Sequence, residues 1–591
     1  IYVVTRSTGD TARTLKLSNG SSALTDFSAV VKTSTPSVLS YSYTGNSTDM
    51  YLYSAGSGIN VYLIKIVYGS GTSASTGVNT VSIVGNSSVT VGKTVTLTAN
   101  VTGTPISDTY TWTITNDTGS VTYTNSTTKT LTLTGASAGT VSVKVSIDGK
   151  DATKSITVNS VGSKTISLSD TPVGYASKGT ATWVTAPESS KIITVSNAAD
   201  LRTYAKKGGY LIKVSGMIDM TTDDNNAANS MLPTSATDDN ANLGAFISTH
   251  YGNWTGTRYS SWSAWRTAYA ATINASDADW SSSSSSSNNT GVNSMDGYEW
   301  QLYNDYKNKI MIRPVSNTTI IGIDENSGVK GGSFYLENVS NIQIRNLTIR
   351  DAFDPFPHHE KNDGWNSQYD GITIKGSCDQ IWIDHCSFED TISVGWSSFA
   401  TVTMKDGVED ASNHKNMWQT YDGMLDIAGT ATNITISYCT FKNHDKVMLL
   451  GNNASDTGTK TITLHHCAFI DCVQRLPMVR MSSVHIFNTY YSFDNSDYSR
   501  TSTINVRDSA KVNSESNYFE SNMVMSYTGS DGGTVYYHDD YGITSSTNKN
   551  IMTSQSSAVF EIPYSYTPDT AENVKTIVTE QAGAGYTLSS N

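Results

Sequence analysis

Ile381-Trp-Ile-Asp-His-Cys386-Ser-Phe388, Ile434-Thr-Ile-Ser-Tyr-Cys439-Thr-Phe441 and Ile462-Thr-Leu-His-His-Cys467-Ala-Phe469 are three copies of one pattern. The order is apolar, any, apolar, any, any, small or polar, any, apolar. Ile342-Gln-Ile-Arg-Asn-Leu347-Thr-Ile349 precedes them, and Val484-His-Ile-Phe-Asn-Thr489-Tyr-Tyr491 and Val512-Asn-Ser-Glu-Ser-Asn517-Tyr-Phe519 follow. Successive copies are offset by 39, 53, 28, 22 and 28 residues. A short period with one strand per copy signals a solenoid. Stacked coils pair like strands in parallel about 4.8 Å apart, so each template position becomes a ladder. Cys386, Cys439 and Cys467 share one such position. Buried thiols pack as small hydrophobes, so we read them as core rather than as metal ligands or disulfides. The longer offsets imply coils with inserted loops, which in repeat folds build a binding face.

Outward from this block the texture changes. Residues 1–70 alternate apolar residues with Ser, Thr and Tyr, as in Met50-Tyr51-Leu52-Tyr53 and Val61-Tyr62-Leu63-Ile64-Lys65-Ile66-Val67. Such alternation predicts half-buried strands. Gly69 to Gly77 reads as a linker. Residues 76–159 predict strands at Val89–Ala99, Tyr110–Thr115, Leu131–Thr134 and Thr140–Ile147, with Trp112 as a large core residue. The fold expected is all-β: two small β-sandwich modules (1–70, of unassigned role, and 76–159) before a right-handed parallel β-helix over 165–591. Ser281–Ser287 marks a low-complexity loop.

Composition narrows the function. Lys plus Arg number 39 against 52 Asp plus Glu, a net charge of -13. No nucleic acid is expected as a partner, since binding one needs a basic footprint. No apolar run approaches the ~18 residues of a membrane span. The chain starts at Ile1 without a basic and apolar leader, so a secreted or cell-surface protein with its signal peptide already removed is expected. Five cysteines make no disulfide framework, and an odd count leaves one thiol unpaired.

The inserted loops carry the chemistry. Asp370 opens the strand of one coil, and Asp422 and Asp426 lie in Tyr421-Asp-Gly-Met-Leu-Asp426 on the loop entering the next. Gly423 permits a bend, and stacking can bring Asp370 alongside. Three carboxylates without His or Cys suit a hard, oxygen-liganded cation, calcium rather than zinc. Three solvated loop aspartates are the alternative that these residues alone leave open.

Asn366-Ser367-Gln368-Tyr369-Asp370, Trp382-Ile383-Asp384-His385, His444-Asp445-Lys446 and Arg475-Leu476-Pro477-Met478-Val479-Arg480 occur in that order, followed by Val484-His485-Ile486-Phe487-Asn488. Together they resemble polysaccharide lyase family 1, the pectate lyases. Weaker similarity runs from Tyr210-Leu-Ile-Lys-Val-Ser-Gly216 through Thr319-Ile-Ile-Gly322. On pattern alone, residues 76–159 resemble bacterial immunoglobulin-like modules, without the inter-sheet cysteine pair of antibody domains.

The lyase resemblance implies a monomeric enzyme that cleaves polygalacturonate, or low-ester pectin, by β-elimination to 4,5-unsaturated oligogalacturonates. It implies Asp370, Asp422 and Asp426 as calcium ligands and Arg475 as the base that takes the C5 proton. Lys446 and Arg480 would bind substrate carboxylates, and Asp363 would help hold a further calcium. Pectin lyase is the nearest enzymatic rival; it shares the fold but takes methyl esters without calcium, and the retained aspartates argue against it. A catalytically dead carbohydrate-binding β-helix would lack the base or the ligands. His358-His359-Glu360 looks like a metal tripeptide, but adjacent residues on an extended segment point apart. His465 and His466 are expected to be structural, and Asp384 and His385 to tie loop and strand. Met478 and the insertion Thr391–Thr420, with Trp396, Lys405, Lys415 and Trp418, depart from the family pattern.

Overall fold

The computed structural model describes residues 1–20, 22–27, 36–44, 49–54, 56, 58–67, 77–106, 109–159, 164–276, 294–360, 364–405, 415–456, 458–495, 497–499, 501–521, 523, 526–543 and 551–589. Two compact units divide the chain, Ile1–Gly162 and Ser163–Asn591. The linker read at Gly69 to Gly77 lies outside the described residues up to position 76, as does the whole serine run.

In the first unit, residues 2–65 form two three-stranded antiparallel sheets. They share a small core of Val3, Leu15, Leu17, Phe27 and Leu39. Tyr51–Ser54 alternates as expected, with Leu52 packed on that core and both tyrosines outward. Ile59–Lys65 does not alternate. It is a sheet-edge strand whose Val61, Tyr62, Leu63 and Ile64 are all exposed within the unit. Residues 77–159 form two four-stranded sheets around a second core that contains Trp112. The single strand expected over Val89–Ala99 is two, Ser88–Thr90 and Thr94–Thr104, on different sheets. Gly92 between them has φ 78°, a left-handed turn that a continuous strand cannot contain.

The second unit is a parallel β-helix. A ten-stranded sheet and two eight-stranded sheets run along it; eight coils contribute one short strand to each, and Ile192–Val195 and Thr534–His538 extend the ten-stranded sheet at its ends. In the ten-stranded sheet, Ile342, Ile381, Ile434, Ile462, Val484 and Val512 pair in succession, the register that the repeat predicts. All six are fully buried, each worth about 1.5–3 kcal/mol on a transfer basis. The last template position stacks as an aromatic column. Phe388, Phe441, Phe469, Tyr491 and Phe519 lie 4.8–5.3 Å apart with nearly parallel rings. Between the ten-stranded sheet and the next, each of these coils turns on one left-handed residue. These are Asn346, His385, Tyr438, His466, Asn488 and Ser516, with φ of 48–53°. The five cysteines are buried and none is in a disulfide, and the Cys439 amide donates to Cys467 Sγ at 3.4 Å.

Helices Ala241–Thr249, Trp262–Ser276 and Met295–Ile310 depart from the strand-only reading. They pack Trp262, Trp265, Tyr298 and Tyr306 into the β-helix core. Among the described residues no helix is long and apolar enough to cross a membrane.

Candidate active site

Two neighbouring strands of the third sheet, Ile372–Lys375 and Leu425–Ile427, place the first two carboxylates. Asp370 stands just before the first, and Asp426 is the middle of the second, paired with Thr373. Thr373 Oγ1 donates to Asp370 Oδ2 at 2.6 Å, and the Gly423 amide donates to Asp370 Oδ1 at 2.9 Å. The Leu449 amide donates to Asp426 Oδ1 at 2.9 Å. Gly423 is the floor between them: a Cβ there would lie 2.5 Å from Asp426 Oδ1 and 2.8 Å from Asp370 Oδ1. Both oxygens therefore crowd one point. Burial, with the Asp426 and Asp422 carboxylates, raises the Asp370 carboxyl well above the usual range. Burial and Asp422 push Asp426 up to about 7, against the opposing pull of Arg475 and Lys446.

Asp422 is turned elsewhere, its Oδ1 3.0 Å from Lys446 Nζ. As the side chains stand, no group of three His, Cys, Asp or Glu residues among those described is arranged to hold a metal ion. Two members of the expected trio are together, and the third is engaged by a lysine. The donor set still fits a hard cation. It is oxygen only, and two buried carboxylates whose pKa values burial and neighbouring carboxylates raise are relieved by positive charge between them. Asp363 lies outside the described residues.

Lys446 ends the strand Thr440–Lys446, and its Nζ also donates to Asn366 Oδ1 at 2.8 Å. Its register partner, Gln474, immediately precedes Arg475. Arg475 has φ 60°, a left-handed conformation that costs a non-glycine residue roughly 1–2 kcal/mol. Its Nε is buried with no hydrogen-bond partner among the described residues. Arg480 goes to other company: its Nε lies 2.9 Å from Asp508 Oδ2, and Nη1 donates to the Asn452 carbonyl at 2.8 Å. Burial and the neighbouring Arg507 lower its pKa, and Arg475 adds to the effect.

Several supporting residues carry no sequence periodicity. His444 meets Asp390 Oδ2 through Nδ1 and the Asp422 carbonyl through Nε2, both at 2.6 Å. The Asp422 carbonyl can only accept, so Nε2 carries a proton, and Nδ1 shares one with Asp390. Burial lowers its pKa, and Asp390 with these hydrogen bonds outweighs that and raises it overall. Helix Met295–Ile310 supplies Tyr303, stacked on Tyr369 at 5.2 Å, and Glu299, paired with His358 Nδ1 at 2.9 Å. Trp418, from the Thr391–Thr420 insertion, packs 4.4 Å from Trp365 and donates to the Pro355 carbonyl. Residues 406–414 of that insertion lie outside the described residues. His358 and His359 diverge as the extended segment requires, one to Glu299 and the other against Trp365.

The other motif residues are remote from this cluster. Asp384 accepts from Arg345 Nε at 3.0 Å and from Ser437 Oγ at 2.7 Å, a strand-to-strand tie. These partners and His385 outweigh burial and hold its carboxyl well below the usual range. His465 and His466 bond each other through their Nδ1 atoms at 2.9 Å.

Comparison with known proteins identifies the family. The family model described as pectate lyase matches residues 225–587. A pectate lyase of Bacillus subtilis (strain 168) is 34% identical over 294 residues, 47% of this chain and 66% of the relative. Pectate lyase E of Dickeya chrysanthemi is 34% identical over 239 residues, 39% of this chain and 59% of the relative. The matches thus span less than two thirds of these curated relatives. The solved structure of a mutant Bacillus subtilis pectate lyase superposes with a TM-score of 0.54 at 26% identity, covering 72% of this chain and 98% of that one. With the family match spanning more than half of its length, the chain belongs to the pectate lyase family.

Proposed function

We propose that this chain is a secreted, monomeric, calcium-dependent pectate lyase that cleaves polygalacturonate by β-elimination. The observation that carries the reading is the meeting of Asp370 and Asp426 over Gly423, with Lys446 and an Arg475 Nε without a partner among the described residues on the neighbouring coils. Asp370, Asp426 and a reoriented Asp422 would hold the cation. When bound, calcium supplies positive charge against the substrate carboxylate beside the reacting carbon.

The residues of the chain do the rest. Lys446 offers a point charge to a uronate carboxylate, and Asn366 holds its ammonium in place. Asp422 is its resting partner, exchanged when substrate arrives. Arg475 takes the C5 proton. The C5–H electron pair forms the C4=C5 bond, the C4–O4 bond breaks, and the departing O4 gains a proton from solvent. A guanidinium ordinarily loses its proton only above about pH 12, so turnover should climb into the alkaline range. Arg480 adds positive charge close to Arg475 and is freed for a substrate carboxylate if it leaves Asp508. The aromatic wall of Tyr303, Tyr369, Trp365 and Trp418 fixes the loops that carry Asp370 and Asp422.

The test is the absorbance of the conjugated 4,5-unsaturated product from polygalacturonate, with and without a chelator. Activity should vanish with chelator, return with calcium and be lower on highly methylated pectin. Full activity in chelator with a preference for esterified pectin would move the chain to the pectin lyases.

A further inference from the structure

A second site lies away from the carboxylates. On the face of the ten-stranded sheet turned from the coil interior, a cavity of about 810 Å3 opens among the described residues. The hollows beside Tyr421 hold only about 10 Å3 each. Trp382 and Phe487 give it an apolar floor, and Tyr438 stands between His385 and His466 in a stacked column with spacings of 4.8 and 4.6 Å. The segment carrying Tyr566 and Asp569 forms one wall, and Asp170 stands on the opposite segment. A volume of several hundred Å3 with an apolar floor and a few fixed polar groups is the usual form of a small-molecule site.

The polar atoms define the ligand. Asp170 uses Oδ2 on Arg345 at 2.9 Å, and Asp569 uses Oδ2 on His466 Nε2 at 2.9 Å. Neither Oδ1 has a partner among the described residues, nor does Tyr438 Oη. Two carboxylate acceptors and a phenol suit a ligand rich in hydroxyl groups. Charge disfavours a uronate: the Asp170, Asp384 and Asp569 carboxylates face Arg345 and His385, which is taken up by Asp384 at 2.9 Å, and burial lowers the pKa of His465 and His466. An ammonium is disfavoured because each rim carboxylate is already paired and offers one oxygen only.

We propose that this cavity binds a neutral sugar, one or two rings without a carboxylate, independently of the cleft that holds Arg475.

The test is titration calorimetry on the full chain with β-1,4-galactobiose, digalacturonate and glucosamine as probes. Galactobiose should bind in the millimolar range, and Lys446→Ala should leave that binding unchanged. Thr567→Trp, an exposed position at the mouth, should weaken it roughly tenfold or more. Tyr438→Phe, which keeps the stack and removes the hydroxyl, should weaken it severalfold. Both variants should keep the melting temperature and the turnover of soluble polygalacturonate. No galactobiose binding overturns the proposal. So does binding that Lys446→Ala abolishes and Thr567→Trp spares, or tighter binding of digalacturonate or glucosamine at the Thr567-sensitive site.

Discussion

Up the ten-stranded sheet, Ile342, Ile381, Ile434, Ile462, Val484 and Val512 repeat one residue type in one register, all fully buried. Where these coils pass from the second sheet into the third, they present Asp370, Asp426, Lys446 and Arg475, each with different neighbours. In the interior every coil repeats its neighbour, so one position's contribution resembles the next. At the cleft each coil carries a single exception, and no neighbour can stand in for it. Stability is thus spread over many equivalent contacts, whereas the proposed chemistry is concentrated in a few irreplaceable ones.

The sharpest break of that contrast is Arg475→Ala. As the proposed base it should lower kcat about 10²- to 10⁴-fold with little change in KM. The melting temperature should not fall, since the Nε removed is buried without a hydrogen-bond partner among the described residues, and the left-handed backbone strains alanine as it does arginine. Retention of more than about a tenth of wild-type kcat would move the base elsewhere, with Lys446 first to be examined. The converse is Phe441→Ala in the aromatic column. It should cost about 3–5 kcal/mol in denaturant unfolding and leave kcat near wild type while folded. A large loss of kcat in the folded state would mean that column and cleft are not separable.

How far the two regions were legible in the sequence follows the same line. The interior register could be read to the residue because one template recurs, and the cleft motifs were visible as short words. Their company was not. Gly423 as a floor, Asn366 beneath Lys446, Asp508 against Arg480 and the Tyr303 wall all depend on contacts between segments that share no period. The splitting of Val89–Ala99 at Gly92 escaped for a related reason, since alternation continues through a turn that changes sheets.

Gly423→Ala sharpens the comparison from the cleft side. Its Cβ would press on both carboxylates, so activity should fall about 10- to 100-fold and half-saturation by calcium should rise. Activity assayed across a calcium series checks this, and an unchanged calcium requirement would argue against the floor's role.

The smallest effect expected is in acid, on the outer face of the ten-stranded sheet. Burial lowers the pKa of His465, His466 and His485, so the fold favours their neutral forms. That stability is fully present above the unfolded value of about 6.5 and is lost as pH falls from there towards the lower folded values. The three imidazoles should therefore pull the denaturation midpoint down between about pH 7 and pH 5, against the opposite contribution of the raised Asp370 and Asp426 carboxyls. His466→Asn, which suits the left-handed turn at φ 52°, should flatten that slope. A pH dependence of the midpoint that His466→Asn leaves unchanged would show that imidazole to be titrating freely.

The five buried cysteines, none of them in a disulfide, set the terms on which such a protein ages. While the coils are closed, no oxidant reaches a thiol. Once they open, Cys378, Cys386, Cys439, Cys467 and Cys472 emerge from neighbouring turns of the chain. In an oxidising medium they can then cross-link into bridges that the coils cannot accommodate on closing. Each opening becomes a one-way event, so working life is governed by the rate of opening rather than by the equilibrium between open and closed forms.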